Sequence, residues 1–545
     1  MLQRSDNYAD LVRGFHWRIP DRFNIGVAVS DAWAHKDPNR TALIEYRGAD
    51  APGTLSFGAL AKRSNALANA LRARGVRRGD RVALLLPQSF ETAIAHVAIY
   101  KLGAVALPLA LLFGVEALEY RLQTAGVRAV ITNSAGLAKV PRIAARLPDL
   151  ELIVSVDGPE GSAVGFEPLV AGAPVDFEAV DTTPDDPAMM IFTSGTTGPP
   201  KGALHGHRVL LGHLPGLQMA YEFLPQAGDL MWTPADWAWA GGLLNALLPS
   251  LYFGIPVVCA RFEKFDPEAA LLLVERMKVR NAFIPPTALR MLKSVPDIPA
   301  HFSHVLRSVG SAGESLGRET WEWAEGALGL PVNEFYGQTE CNAAIASSAI
   351  IGVSRPGMIG KAVPGHTVAI IDADGRPMPA GEPGQIAVLR PDPVMFLEYW
   401  DSPEATAKKF IGDWMTTGDQ GIMDGDGYIQ FFGRDDDVIT SAGYRIGPGE
   451  IEDCLVGHPS VALAAAVGKP DALRTEIVKA YVVLKDGVEP DDALKAEISA
   501  FVRERLSAHE YPREVEFVDS MPLTTTGKVI RRIFRDRARR EAGIA

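Results

Sequence analysis

Short apolar runs alternate with stretches of helical period through the first two-thirds of the chain. Arg81-Val-Ala-Leu-Leu-Leu-Pro87 reads as a buried strand, Phe90 to Gly103 as a helix, and Val105 to Leu109 as the next strand. Val127 to Thr132 and Leu150 to Val156 repeat the strand signal. Apolar strands that alternate with helices predict parallel sheets covered on both faces. The pattern then changes. Val461 to Val467, Ile477 to Leu484 and Val515 to Val518 read as strands, and Asp491 to Ser507 as an amphipathic helix. This mixture predicts a small α+β domain. The seam falls at Gly433-Arg-Asp-Asp-Asp437, a charge-rich turn between apolar strands. The expected architecture is α/β: a large domain, 1–433, of parallel-rich sheets covered by helices, and a small α+β domain, 434–545.

One stretch tests this reading. No charged residue stands between Asp236 and Arg261, a length that could span a bilayer. Pro249 and Pro256 interrupt it, and Asn245 and Ser250 lie inside it. A buried helix, a Pro-Ser turn and a short buried strand fit better.

Composition changes the picture little. The chain has 545 residues, 47% of them hydrophobic, more than one core usually serves. A net charge of -12 argues against a general nucleic-acid binder. The 3 cysteines form no CxxC pair, so neither a disulfide framework nor a zinc knuckle is indicated, and a reducing compartment fits. The opening residues are polar and lack the apolar core of a secretory signal, so the expected location is cytoplasmic.

The chemistry begins at Met189-Met-Ile-Phe-Thr-Ser-Gly-Thr-Thr-Gly-Pro-Pro-Lys-Gly202. An apolar strand enters a loop of Gly, Ser and Thr that ends in lysine. Glycines let backbone N–H groups turn inward and hydroxyls add donors, which suits phosphate oxygens. The GxxxxGK[ST] spacing of a Walker loop is absent. Further on stand Gly313-Glu-Ser315, Asn333-Glu-Phe-Tyr-Gly-Gln-Thr-Glu340, Trp414-Met-Thr-Thr-Gly-Asp419, Asp435 to Glu450 and Pro522-Leu-Thr-Thr-Thr-Gly-Lys528. Taken singly, these read as a strand end packing a tyrosine, a surface Gly-Asp turn, a solvated run of aspartates and a turn with an exposed lysine. An aspartate after a tight turn can also accept both hydroxyls of a ribose.

In this order the motifs resemble those of the adenylate-forming superfamily, from Thr193 to Lys528. The spelling Ser441-Ala-Gly-Tyr-Arg-Ile-Gly-Pro-Gly-Glu450 looks most like the medium-chain acyl-CoA synthetases, with acetyl-CoA synthetase as a near relative. The resemblance implies an acid–thiol ligase that uses ATP, Mg²⁺ and coenzyme A. It implies that Thr193, Ser194, Gly195, Thr196, Thr197, Gly198, Pro199, Pro200 and Lys201 grip phosphates. Gly313, Glu314 and Ser315 line the adenine site, and Glu334, Phe335, Tyr336, Gly337 and Gln338 belong to the nucleotide motif. Thr339 contacts the α-phosphate and Glu340 holds Mg²⁺. Asp419 binds ribose, Arg434 reaches ribose or phosphate, Arg445 lies near the phosphates, and Lys528 enters the site during adenylation.

Asp436 matches the hinge about which the small domain is mobile, Gly443 the place where pantetheine passes, and Ala442 a position where relatives often carry serine. Tyr444, Arg474, Arg503, Tyr511, Pro512 and Arg513 match CoA-contacting positions. The Pro522–Lys528 pattern resembles sites of reversible lysine acetylation, which implies an acetyltransferase and a deacetylase as partners. Acetyl-CoA synthetases carry tryptophan where this chain has Gly337, so the resemblance implies a pocket for acids longer than acetate. Trp237, Trp239 and Gly241 are expected to line its far side. The alternative is a stand-alone adenylation enzyme that loads a carrier protein. His205 and His207 flank a glycine and read as structural or pocket-lining.

Overall fold

The computed structural model describes every residue except 194–198, 263, 435–436, 442–443, 472–473, 507–510, 525–527 and 545, and the side chains of Tyr444 and Arg445 are also outside the description. Four sheets carry the chain. The first has the parallel strands Arg81–Leu85, Val105–Pro108, Val127–Thr132 and Leu152–Ser155 at its centre. The strand Pro187–Thr193 joins them in parallel and then turns back on Lys201–Gly206. The second large sheet runs Thr41–Glu45, Val257–Cys259, Met231–Trp232, Asn281–Phe283, Ser308–Ser311 and Val332–Gln338, all parallel. Beyond Val332–Gln338 the sheet continues with the antiparallel strands Cys341–Ala346 and Lys361–Ala362. These are apolar runs with helices on their faces, as the alternation predicts.

The helices start where the sequence supplies caps. Ser56 accepts from the Ala59 N–H at the head of Phe57–Ala73, and Ser89 accepts from Thr92 at the head of Phe90–Lys101. Both helices, with Arg208–Ala220, pack into one core shared by the two large sheets. A third, antiparallel sheet holds Val368–Ile371, Pro383–Leu389, Trp414–Met423 and Ile429–Arg434. Between Arg434 and Ile439 the chain leaves this sheet and enters a fourth, built from Ile439–Ser441, Tyr444–Ile446, Val461–Asp471, Thr475–Leu484 and Glu514–Phe517. That last sheet has a separate core, with Ile439, Ile451, Leu455, Val482, Ile498 and Val502 at its centre. The helix expected over 491–507 is Asp492–Arg505, capped by the Asp491 side chain on the Leu494 N–H at 2.7 Å.

The uncharged stretch differs from its expected form. There is no turn at Pro249-Ser250. A wide π-helical segment, Leu243–Leu247, runs straight into the helix Leu248–Phe253, which carries Pro249 in its first turn. Pro249 has no N–H to donate inside this continuous helical stretch, and the backbone before it takes the wider π spacing instead of breaking off. The chain turns instead at Gly254, in the left-handed conformation, before the strand Val257–Cys259. Among the described residues, no helix is long and apolar enough to cross a membrane.

The interior holds neutral histidines. Burial lowers His96 and His205 to about 3, and His207 and His213 to about 4. His207 accepts the Ile25 N–H at 3.1 Å, a structural role. Each folded pKa lies below the unfolded value of about 6.5, so each group favours the folded state fully above that pH. That contribution is lost as pH falls toward the folded pKa, at about 1.4 kcal/mol per pH unit per histidine. The buried acids Asp236 and Asp453, both raised by burial to about 6, act in the opposite sense. A single-site difference therefore isolates one group. His96→Phe should flatten the slope of unfolding free energy against pH between 6.5 and 5 by about one proton. Denaturant titrations at several pH values read this, and an unchanged slope would mean that His96 is protonated in the folded protein.

Candidate active site

Pairing of Thr193 with Lys201 closes the Gly-rich segment into a hairpin loop. Ser194, Gly195, Thr196, Thr197 and Gly198 lie outside the described residues, but the two stems are placed. The Tyr120 hydroxyl donates to the Pro200 carbonyl at 3.1 Å. Lys201 stands over the Tyr399 ring at 5.4 Å, and the Tyr399 hydroxyl donates to a carboxylate oxygen of Glu340. Thus one tyrosine ties the end of the loop to the acid expected to hold Mg²⁺.

Glu340 itself is buried on a tight turn. Gln338 pairs with Cys341, so Thr339 and Glu340 form the two-residue connection between the strands. The Glu340 carbonyl accepts the Phe396 N–H at 2.7 Å. The donor set suits Mg²⁺, which favours one or two carboxylates, waters and substrate phosphates over an all-protein cage. Among the described residues, no cluster of three or more His, Cys, Asp or Glu could hold a metal on its own.

Asp419 lies in the middle of Trp414–Met423, after Gly418 at φ +73°, a conformation that glycine adopts without strain. Its Oδ2 accepts from the Tyr336 hydroxyl at 2.5 Å and from the Gln338 amide at 2.8 Å. Its Oδ1 is 3.9 Å from the Arg434 guanidinium, on the paired strand. Burial raises the Asp419 pKa, and Arg434, Tyr336 and Gln338 pull it back down.

Lys528 comes from the last sequence motif, where its N–H donates to the Thr524 hydroxyl and its carbonyl accepts the Thr524 N–H. Its electrostatic neighbours are Glu314 and Asp419, with Arg434 and Arg531 opposing. Crowding by protein atoms lowers its pKa and the two carboxylates raise it. The side chain is exposed, so water limits that desolvation. Glu314 is held from the other side by Arg290 and by the Thr287 hydroxyl at 2.9 Å. Gly313 and Ser315 are exposed beside it.

Two nucleotide-motif residues turn inward. Phe335 is 1% exposed and packs its ring against Tyr221 and Phe283, so its side chain belongs to the core rather than to a nucleotide surface. The buried Glu334 accepts the Leu316 N–H at 3.1 Å, which ties the Gly313–Leu316 segment to the strand. Burial raises its pKa to about 8, so its carboxyl is substantially protonated at neutral pH.

Gly337, where the wall of the pocket is expected to be absent, meets a second constraint. A Cβ on Gly337 would lie 2.4 Å from Asn342 Cα and 2.5 Å from Ala343 N, both backbone atoms of the returning strand. Glycine is there because the strands approach closely, so its small size does not measure an acyl pocket. Trp237 is fully buried in the main core. Trp239 is half-buried, edge-on to Phe113 at 5.7 Å, and a Cβ on Gly241 would touch the Phe283 ring at 3.0 Å.

The CoA candidates fall in two groups. Ala442, Gly443 and the hinge residue Asp436 lie outside the described residues, as do the Tyr444 and Arg445 side chains. Ser441 pairs with both Tyr444 and Thr475, which brings the hairpin beside Arg474. Separately, the exposed Arg503 and Arg513 flank the Tyr511 ring at 5.3 and 4.9 Å, and the Pro512 carbonyl accepts the Ser499 hydroxyl. Tyr399, Arg290 and Lys409 stand in or beside the site although no motif marked them. Their types are ordinary on a surface, and only the tertiary fold brings them there.

Residues 30–400 match the family model of the AMP-binding enzymes, and 450–528 match that of the AMP-binding enzyme C-terminal domain. The chain is 32% identical to the acetyl-coenzyme A synthetase of Bacillus subtilis (strain 168) over 97% of its own length and 94% of the relative's. It is 34% identical to the human mitochondrial acyl-coenzyme A synthetase ACSM4, over 95% and 91%. Its fold matches the anthranilate CoA ligase AuaEII, solved with anthranoyl-AMP, at a TM-score of 0.88 and 30% identity over 96% and 99% of the two chains.

The strand contact at Gly337 makes a steric prediction. Gly337→Ala should destabilise the fold by roughly 1–3 kcal/mol, the usual cost of overpacking. The midpoint of denaturant unfolding reads it, and an unmoved midpoint would show that the strands separate at no cost.

Proposed function

The chain belongs to the AMP-binding enzymes and is an AMP-forming acid–thiol ligase, and from that premise we propose that it converts an apolar carboxylic acid longer than acetate to its CoA thioester. The carboxylate attacks the α-phosphate of ATP, forming acyl-AMP and releasing pyrophosphate. The CoA thiol then attacks the acyl carbon and releases AMP. The observation that carries this reading is convergence: Lys528, from the C-terminal sheet's end of the chain, has Glu314 and Asp419 of the large domain as its attracting neighbours.

Each residue has a separate task. Asp419 accepts ribose hydroxyls while Tyr336 and Gln338 hold it still. The Gly-rich hairpin and Lys201 bind the β- and γ-phosphates, with Thr339 at the α-phosphate. Tyr399 orients Glu340, which would hold Mg²⁺ against the phosphates, and the bound ion supplies neutralisation of their charge. The Lys528 ammonium offsets the repulsion between carboxylate and phosphate, so its effect is electrostatic preorganisation. We place the domain boundary at 433/434, with Asp436 as hinge, so that the small domain can turn to admit pantetheine past Gly443.

The acid is read from its surroundings. Gly241 and the buried rings of Phe283, Phe335 and Tyr221 stand together, and no charge lies between Trp237 and Gly242. Each buried methylene contributes about 0.8 kcal/mol, and such pockets separate acids that differ by one methylene roughly 10- to 200-fold. Acids of about four to eight carbons, branched or aromatic ones included, should therefore exceed acetate in kcat/KM. A carboxylate panel with ATP, Mg²⁺ and CoA, scored for AMP and for free thiol, checks this. Acetate as the best substrate would overturn the assignment, and AMP formed without thiol consumption would indicate carrier-protein loading.

Lys528→Ala separates the two steps. Acid-dependent pyrophosphate exchange should fall about 100-fold or more, the usual loss on removing one transition-state donor. Thioester formation from supplied acyl-adenylate should stay within about threefold of wild type, since that step makes no use of the ammonium. Equal losses in both would mean that Lys528 does not serve adenylation alone.

A further inference from the structure

Lys409 stands one residue before the short strand Phe410–Ile411, which pairs with the start of Trp414–Met423. The Lys409 carbonyl accepts both the N–H and the hydroxyl of Thr416, at 2.8 and 3.0 Å, so its backbone is fixed to the strand that carries Asp419. Its side chain is half-buried, and its ammonium donates to Gln338 Oε1 at 3.1 Å. Among the described residues, Gln338 is its one hydrogen-bond partner. The same amide spends its Nε2 on the Thr417 carbonyl at 2.6 Å and on Asp419 Oδ2 at 2.8 Å.

A glutamine amide has two ends, and a flip exchanges donor for acceptor. Here both ends are specified. The Lys409 ammonium has only donors, so the end facing it must be the oxygen. Asp419 and the Thr417 carbonyl have only acceptors to offer, so the end facing them must be the amino group. Without the ammonium, one of the two constraints on the amide is gone, and a flipped amide would set its oxygen against the Asp419 carboxylate. Burial disfavours the Lys409 charge, and Glu340 and Asp419 favour it.

We propose that Lys409 is a positioning residue for nucleotide recognition: it fixes the Gln338 amide, which in turn holds Asp419 in place for the ribose hydroxyls. The proposal rests on the reading of Asp419 as the ribose acceptor. It predicts a defect that is specific to the sugar and is neither general nor catalytic.

The test compares ATP with 2′-deoxyATP and 3′-deoxyATP in acid-dependent pyrophosphate exchange. Wild type should prefer ATP in KM. Lys409→Met should raise KM for ATP about tenfold, the worth of one hydrogen bond to a charged group, with kcat within about threefold. Its KM for the deoxynucleotide that lacks the recognised hydroxyl should stay near wild type, so that the preference collapses. Lys409→Arg, which also donates to Oε1, should restore part of it. Gln338→Met should show the same collapse, and the Lys409→Met/Gln338→Met pair no further loss. Gln338→Met also carries the test should Lys409→Met fail to fold, and thermal midpoints report folding for each. Asp419→Asn separates the two readings. If it abolishes the preference while Lys409→Met retains it, the Lys409 proposal is wrong and the ribose assignment stands. If Asp419→Asn also retains the preference, the ribose assignment itself is wrong.

Discussion

A buried carboxylate stays ionised only when its surroundings replace the water it has lost. Asp419 is 4% exposed, and burial pushes its pKa up. The cations Arg434 and Lys409 and two neutral donors, Tyr336 and Gln338, pull it the other way and fix the carboxylate in place. These four groups come from three stretches of chain. Tyr336 and Gln338 lie on the strand Val332–Gln338 of the second large sheet, Arg434 on the strand before the chain changes sheets, and Lys409 beside a short hairpin. The position of one oxygen atom thus depends on the register of several strands, which is why the site needs so large a scaffold.

The charges around this point balance locally. Glu340 has Lys409 in its field, Glu314 has Arg290 and Lys528, and Asp419 has Arg434. Such pairing keeps the carboxylates in place.

Much of the fold was legible because its signals are local. The strands Arg81–Leu85, Val105–Pro108 and Val127–Thr132, and the helices Phe90–Lys101 and Asp492–Arg505, follow from apolar runs and periodicity read within a few residues. The Pro-Ser turn was misread because a proline can be carried in a helix whose preceding turn widens to the π spacing, which the residue pattern does not show. Gly337 carries a related ambiguity. Glycine marks either an absent wall or a close approach, and only the position of Asn342 and Ala343 decides between them. Tyr399 and Lys409 carried no signal, since their roles exist only after strand pairing has placed them beside Glu340 and Gln338.

The way the two cores meet differs from the way each is built. Each core is a continuous apolar cluster, whereas several contacts between the two halves are polar. The helix Arg318–Leu328 has no side-chain cap of its own. Its Glu319 N–H donates at 3.4 Å to Asp453, which belongs to the helix Pro448–Val456 of the other half. Gly317 leaves the space for that carboxylate, because a Cβ there would lie 2.1 Å from Asp453 Oδ1. Burial raises Asp453 to about 6, with the Glu319 charge adding to the effect and Lys293 opposing it. Lys528 meets Glu314 and Asp419 across the same junction. Polar groups at such a junction can be returned to water with little loss, whereas an apolar seam of the same size could not. Under the proposed hinge at Asp436, Lys528 would travel with the half whose attachment includes these polar contacts, while Glu314 and Asp419 would stay with the other, and only the polar contacts would have to be exchanged for water between the two proposed steps.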